Sequence, residues 1–287
     1  SGGRYKLLIA LCCLLYFTSY ITRLNYSASI AGILEATTLT KEQTGLIGTM
    51  LFITYGVGQI VSGLLGDRIK PERIILAGLV TTTLCNVVFP LCPQVAALAV
   101  VWGINGFAQA MFWPPLVRIL AEKLPDGKFA PACFYISAAA QIANILIYLL
   151  VPLLLVTLGW KSVFFISAGF AVLVAVVWIV GYRFVLADPT IAHMRMHTEK
   201  PAETAAPAAE KQPIGFGKLL LLCGMPFILP AITMQGFLKD GMTTWMPSYI
   251  ADIFHLQASM AILSSVVMPV FSIVIVYLVS VLFKKVF

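Results

Sequence analysis

Charged side chains are scarce in this sequence. Asp, Glu, Lys and Arg make up only 11% of the 287 residues, and residues of the set AVILMFWYC make up 60%. Soluble domains carry roughly 25% charged residues. The mean hydropathy is +0.95. This composition excludes an ordinary soluble domain and predicts an integral membrane protein surrounded by the lipid bilayer.

Metal ligands and catalytic side chains are also few. The chain has three His and six Cys, and the cysteines lie in or beside apolar segments without the spacing of a metal site. His193 and His197 flank the short segment MRM, which no Cys or carboxylate cluster joins. We therefore predict no metal, no cofactor and no enzymatic activity.

Long apolar runs recur along the chain, and each could cross a hydrocarbon core of roughly 30 Å as a helix. The first run is too long for a signal peptide, and no small-residue cleavage site ends it. We predict an all-α membrane bundle with eight spans, at 6–34, 43–66, 74–92, 94–121, 129–156, 160–184, 218–252 and 257–283.

The basic residues predict the orientation of these spans. Most of the 19 Lys and Arg fall in loops on the side of the N-terminus, and such residues collect in cytoplasmic loops. We expect a multi-pass protein of the inner membrane with its N-terminus in the cytoplasm. The formal net charge of +7 follows mostly from this topology, so it does not indicate nucleic-acid binding.

A polar segment divides the chain into two parts. Residues 187–217 are rich in Ala, Pro, Glu and Lys and lack apolar periodicity, which is typical of a linker. We predict a six-helix bundle at 1–186, a cytoplasmic linker at 187–217, and the first two helices of a second bundle at 218–287. A shift of about 216 residues, which aligns Glu35 with Asp252, supports a repeat whose last four helices would lie beyond residue 287.

An arginine lies deep in the first predicted span, in the stretch YFTSYITRLNYS. At about 1.5 Å per residue, Arg23 is roughly 25 Å from one end of the span and roughly 16 Å from the other. Such a position costs about 2.5 to 3.5 kcal/mol, so Arg23 should face a polar cavity or a partner. Tyr16 and Tyr20 share its helical face, and Tyr55 and Gln59 repeat the spacing in span 2.

The guanidinium of Arg23 is suited to an anionic ligand, because its planar fork binds phosphate or carboxylate in bidentate fashion. The alternative is a structural ion pair with a buried carboxylate. Only Asp240 lies plainly within a span, and it neighbours Lys239. We predict that Arg23 and Lys239 bind a small anionic substrate, with Asp240 as a proton-coupling alternative. Further polar residues could face either the cavity or another helix: Asn105, Gln109, Gln141, Asn144 and Gln235.

Three stretches carry a family resemblance. GLLGDRIKPER resembles the loop after span 2 of the major facilitator superfamily and holds Gly63, Asp67, Arg68 and Arg73. NGFAQAMFWPPLVR, which ends at Arg118, and LKDGMTTWMPSYI are similar to segments of organophosphate:phosphate antiporters. The adjacent prolines of the second stretch also predict a bent helix.

This resemblance implies a transporter that exchanges a phosphate ester for inorganic phosphate by alternating access. It assigns Arg23 as the first essential arginine and Tyr16, Tyr20 and Tyr55 as tyrosines lining the phosphate site. The loop residues Gly63, Asp67, Arg68 and Arg73, together with Arg118, are implied to act in gating or helix packing.

The sequence departs from the family pattern at charged positions. Lys239 stands where the family has its second arginine, and Gln59 replaces a lysine of the glycerol-3-phosphate members. The smaller positive charge favours a less charged phosphate ester, a phosphonate or a carboxylate. Two alternatives stay open: a proton symporter of a sugar acid with Asp240 as carrier, and a transporter-like sensor of sugar phosphate.

Overall fold

The computed structural model describes residues 2–66, 68–125, 127–188, 225–267, 269–272 and 274–275, and throughout these ranges the regular structure is helical. The helices are α1 (Gly2–Ala36), α2 (Lys41–Gly66), α3 (Pro71–Val88), α4 (Val95–Gln109), α5 (Trp113–Lys123), α6 (Phe129–Leu158), α7 (Trp160–Leu186), α8 (Met225–Phe254) and α9 (Ala258–Ser264).

The first six predicted spans are confirmed. Six helical segments of the described part are long and apolar enough to cross a membrane; they start at residues 3, 41, 71, 95, 129 and 160. The first helix begins at Gly2 rather than near residue 6. α8 corresponds to the seventh predicted span and α9 opens the eighth. The predicted linker lies outside the described residues beyond Asp188.

The fourth predicted span is not one continuous helix. α4 ends at Gln109 and α5 begins at Trp113, with a tight turn between them in which the Met111 N–H donates to the Ala108 carbonyl at 3.0 Å. Pro114 and Pro115 lack the N–H groups that would continue the α4 ladder, but they are tolerated in the first turn of a new helix. At the predicted bend, a hydrogen-bonded turn of residues 110–112 therefore separates α4 from α5.

Two buried clusters hold the helices of residues 2–188 together. The proximal cluster lies near the N-terminus and is built around Leu8, Leu15, Ile75, Phe112 and Trp178. The distal cluster lies at the opposite end and is built around Tyr26, Phe89, Trp102 and Phe164. The ring of Phe89 lies 4.8 Å from both the Trp102 and the Phe164 rings, measured between centroids, which is contact distance for aromatic side chains.

A polar network lies between these clusters, where α1 crosses α3 and α4. The Gln109 amide nitrogen donates to the Thr22 hydroxyl at 2.9 Å and to the Thr82 hydroxyl at 3.0 Å, and its oxygen accepts from Ser19. Asn25 donates to Asn86 at 2.6 Å. These side chains are almost fully buried, so their mutual hydrogen bonds fix the rotation of α1 inside an apolar bundle.

α8 packs against the six-helix part at the distal end. The Lys41 ammonium lies 2.6 Å from the Asp252 carboxylate. The Trp245 ring lies against Gly45, where an added Cβ would be 3.3 Å from a ring carbon. The Tyr148 hydroxyl donates to the Thr243 carbonyl at 2.8 Å. α8 is therefore in contact with α2 and α6 at the end opposite the N-terminus.

Candidate anion-binding site

The structure brings Arg23 together with two of the predicted tyrosines. The central carbon of its guanidinium lies 4.8 Å from the Tyr20 ring centroid and 5.4 Å from the Tyr55 ring centroid. Tyr20 is on the same helix, one turn before Arg23, and Tyr55 reaches it from α2. The guanidinium is thus stabilised by aromatic faces from two helices.

Tyr16 extends this aromatic group toward the helix break. Its ring lies 5.3 Å from the Tyr20 ring and 5.0 Å from the Trp113 ring, measured between centroids. Trp113 is the first residue of α5, so the turn between α4 and α5 places it beside the tyrosines. Tyr16, Tyr20 and Trp113 therefore form a continuous aromatic surface along α1 that leads to Arg23.

Ring stacking and anion binding use different parts of a guanidinium. Aromatic rings contact its flat face, whereas phosphate and carboxylate oxygens bind the N–H groups in its plane. The side chain is partly buried, and a charge-assisted hydrogen bond is stronger there than in water. The arrangement is therefore able to bind an anion in bidentate fashion.

Two hollows have Thr243 in their lining, and the smaller of them also includes Arg23. The smaller one, of about 20 Å³, is lined by Arg23, Ser27 and Thr243 among others, and it has room for about one water molecule. The larger one, of about 350 Å³, is lined by residues of α6, α8 and the segment after α9, including Asn144 and again Thr243. Its volume is within the usual range for ligand cavities, roughly 300 to 1,000 Å³.

Several predicted site residues are not brought into this group by the described structure. Gln59 is partly buried on α2 and lines neither of the two hollows. The side chains of Lys239 and Asp240 lie outside the described residues, although the helix that carries them, α8, is described. Their roles stay predictions.

The predicted gating residues lie near the proximal end. Gly63 and Arg68 are exposed, as is Arg73, and Asp67 lies outside the described residues. The Arg118 Nε donates to Glu122 of the same helix at 2.6 Å. This local ion pair links neighbouring turns of α5, and the gating role of these residues stays a prediction.

Of the five polar residues whose direction the sequence left open, Gln235 is exposed on α8, and the other four form two pairs. Asn105 and Gln109 are 0% and 2% exposed and belong to the buried network, so they pack helices. Gln141 and Asn144 line the larger hollow together with Tyr148. Sequence reasoning did not single out Tyr148, although its spacing of seven residues from Gln141 places both on one helical face.

Comparison with known proteins agrees with this architecture. The Major Facilitator Superfamily pattern matches residues 12–287. A probable hexose phosphate transport protein of Chlamydia muridarum is 31% identical over 151 residues, which cover 53% of this chain and 33% of that protein. The glycerol-3-phosphate transporter of Bacillus subtilis is 26% identical over 254 residues, covering 83% of this chain and 55% of that transporter.

A solved structure shares the fold. The crystal structure of a bacterial homologue of the human lysosomal transporter Spinster superposes with a TM-score of 0.72 at 17% identity, over 94% of this chain and 60% of that one. In each of these three comparisons the match spans less than two thirds of the other protein's length. The family pattern covers almost all of this sequence, and the helical architecture agrees with it: the chain belongs to the Major Facilitator Superfamily.

Proposed function

We propose that the complete protein is a secondary transporter of a small organic anion, a phosphate ester or phosphonate that it exchanges for inorganic phosphate. The observation that carries this proposal is the position of Arg23. Its guanidinium lies on a membrane-spanning helix, 4.8 Å and 5.4 Å from the centroids of the Tyr20 and Tyr55 rings. A permanent cation held there by aromatic faces suits a ligand with anionic oxygens.

Binding and movement are coupled through charge. A guanidinium within a span costs about 2.5 to 3.5 kcal/mol, and a bound anion offsets this cost. In this proposal Lys239 on α8 is the second ligand, so the anion joins the two predicted bundles, 1–186 and 218–287. A carrier with bound anion therefore reorients its binding site from one side of the membrane to the other more readily than an empty carrier. Exchange follows when two different anions fit the same site.

The activities for which the two relatives are named support a phosphate ester. A hexose phosphate and a glycerol phosphate are both monoesters with neutral hydroxyl groups, and the matched segments of both relatives overlap this chain over half its length or more. Gln59 adds no charge near Tyr55, which fits a substrate with one anionic group. The coupling species in this proposal is inorganic phosphate, and the surrounding lipid bilayer is the other partner.

The distribution of basic residues supports the orientation. Arg4, Lys6, Arg68 and Arg73 lie at the end of the bundle that holds the N-terminus, and such clusters mark the cytoplasmic side. We propose that this end faces the cytoplasm across the inner membrane. The distal end, with Lys41 and Asp252, then faces outward.

Counterflow into liposomes tests the proposed function. The complete protein, reconstituted with inorganic phosphate inside, should take up labelled phosphate or glycerol phosphate, and uptake should stop when internal phosphate is omitted. A pH gradient should not change the rate. Uptake driven by an acid exterior without internal phosphate would instead indicate the proton symporter with Asp240. Binding of sugar phosphate with no uptake would indicate a sensor.

A further inference from the structure

An apolar groove lies between α6 and α7, away from the Arg23 site. Its volume is about 130 Å³, and α1 contributes Phe17 and Ile21 to its lining. Leu150 of α6 and Ile166 of α7 also line the groove, and they are 42% and 48% exposed. All three helices are long and apolar enough to span a membrane. The groove therefore opens on a surface of the bundle that contacts lipid.

The lining of the apolar groove is suited to hydrocarbon and not to water. Ser167 is the one polar residue among the described lining residues, and its hydroxyl donates to the Val163 carbonyl of its own helix at 2.7 Å. A buried water needs two to four polar partners, whereas a comparable apolar cavity of about 150 Å³ stays dry and binds an apolar ligand. The groove therefore excludes a polar cargo and fits an acyl chain.

The depth of the apolar groove matches one leaflet of a bilayer. Along α7, the lining begins at Val163 and ends at Phe170, which are two and nine residues beyond Lys161. At about 1.5 Å per residue this is roughly 3 to 14 Å from Lys161, and half of a hydrocarbon core is about 15 Å thick. The Phe17 and Phe170 rings, 5.9 Å apart between centroids, mark the deep end.

A positive charge lies beside the shallow end of the apolar groove. Lys161 is exposed, and its ammonium lies 5.7 Å from the Trp160 ring centroid. Lys41 at the same end pairs with Asp252, whereas Lys161 makes no ion pair with any residue that the structure describes. α7 begins at Trp160, and the preceding Gly159 has no side chain to cap it, so the helix terminus adds partial positive charge. Trp is common at this level of a membrane.

We propose that the apolar groove binds one acyl chain of a phospholipid with a net anionic headgroup, whose phosphate lies at Lys161 and the start of α7. A zwitterionic headgroup carries its own ammonium beside the phosphate and so gains less from Lys161. The inference does not depend on the cargo, because it requires only that α1, α6 and α7 span the membrane. Since Phe17 and Ile21 are on the helix that carries Arg23, the bound chain also packs against that helix.

Lipid titration followed by native mass spectrometry tests the headgroup. The complete protein, delipidated in detergent, is titrated with phosphatidylglycerol and with phosphatidylcholine of the same acyl chains. Wild type should bind its first phosphatidylglycerol about 5-fold more tightly, the usual contribution of one interfacial Lys. Lys161→Gln should remove this preference and leave phosphatidylcholine within about twofold. Lys70→Gln is the control, because Lys70 is exposed at the proximal end, and it should keep the preference.

Variants of the groove test the acyl chain. Ser167→Leu fills the groove without breaking a hydrogen bond between helices, so it should weaken both lipids at least about 5-fold through lost packing. Thr157→Leu makes a similar exchange outside the groove, where the hydroxyl bonds only to its own helix at Leu153, and it should weaken neither. Leu150→Trp at the exposed opening is compared with Leu153→Trp, so a folding defect of Ser167→Leu does not decide the outcome.

Three results would overturn the proposal. Equal binding of the two lipids by wild type would exclude an anionic headgroup. Loss of the preference in Lys70→Gln but not in Lys161→Gln would place the anionic lipid at the proximal loops. Unchanged lipid binding in both Ser167→Leu and Leu150→Trp would show that the groove holds no acyl chain, whatever Lys161→Gln does. None of these results bears on anion exchange at Arg23.

Discussion

Gly106 on α4 is the position where the helix packing can be tested most sharply. A Cβ at this residue would overlap the Leu51 carbonyl oxygen of α2 and lie 2.5 Å from the Thr54 hydroxyl. The hindering atom is backbone, so α2 must move away from α4. The same movement strains the hydrogen bond, 2.6 Å long, that the Thr54 hydroxyl donates to the Gly103 carbonyl.

The expected magnitude of Gly106→Ala is a balance of two opposite effects. In a helix, Ala is favoured over Gly by about 1 kcal/mol. Overpacking costs about 1 to 3 kcal/mol, and a backbone overlap belongs at the upper end. Loss of the Thr54 bond adds about 1 kcal/mol. The net destabilisation is about 2 to 3 kcal/mol, which should lower the Tm by about 5 to 10 °C.

Thermal unfolding of the complete protein in detergent measures this effect. Gly56→Ala is the matched control, because Gly56 is on α2 and a Cβ there meets nothing within 4 Å. The control should leave the Tm unchanged or raise it slightly. A Tm of Gly106→Ala equal to or above that of Gly56→Ala would refute the close contact between α2 and α4.

Three further substitutions test the buried polar network, the ion pair between Lys41 and Asp252, and the stacking of Arg23 on Tyr55. Gln109→Leu removes the centre of the buried network and leaves its neighbours unpaired, so it should lower the free energy of unfolding by about 2 to 4 kcal/mol in a denaturation assay; an unchanged value would show that the network contributes nothing. Lys41→Glu places like charges at the distal end. An exposed ion pair contributes only about 0 to 1 kcal/mol, so a cysteine introduced at Ser27 should be labelled only a few-fold faster by an impermeant thiol reagent. Asp252→Lys in the same chain restores opposite charges and should reverse the rise. Equal labelling in all forms would show that the contact between Lys41 and Asp252 does not limit access to residue 27. Tyr55→Phe keeps the aromatic face and should bind phosphate as wild type does, whereas Tyr55→Leu should weaken binding about 2- to 30-fold; equal affinities for Phe and Leu would contradict stacking on Arg23.

Much of the helical pattern could be predicted from the sequence, because long apolar runs dominate the free energy of membrane insertion. The grouping of Tyr16, Tyr20 and Arg23 follows from the geometry of a single helix. The interruption of span 4 was predicted as a bend from Pro114 and Pro115. The turn that separates α4 from α5 was not predicted, because two adjacent prolines are also compatible with a continuous, kinked helix.

Contacts between helices were much less predictable. Whether Asn105 packs against Thr82 or faces a cavity depends on the rotation of α4, which composition does not determine. The pairing of Asn25 with Asn86 and of Tyr148 with Thr243 depends in the same way on helix tilt. Tyr55 was grouped with Arg23 by its spacing in span 2 and by the family resemblance, but its contact with Arg23 could not be derived, because the two residues lie on different helices.

Phosphate binding by Arg23 variants tests the central claim most directly. Isothermal titration of the complete protein with inorganic phosphate is compared for wild type, Arg23→Lys and Arg23→Gln, with folding checked by thermal unfolding. Loss of the bidentate fork should weaken binding at least about 10-fold in the Lys variant, and loss of the charge should weaken it by about 100-fold or more in the Gln variant. Phosphate affinity equal to wild type in a folded Arg23→Gln protein would contradict the account.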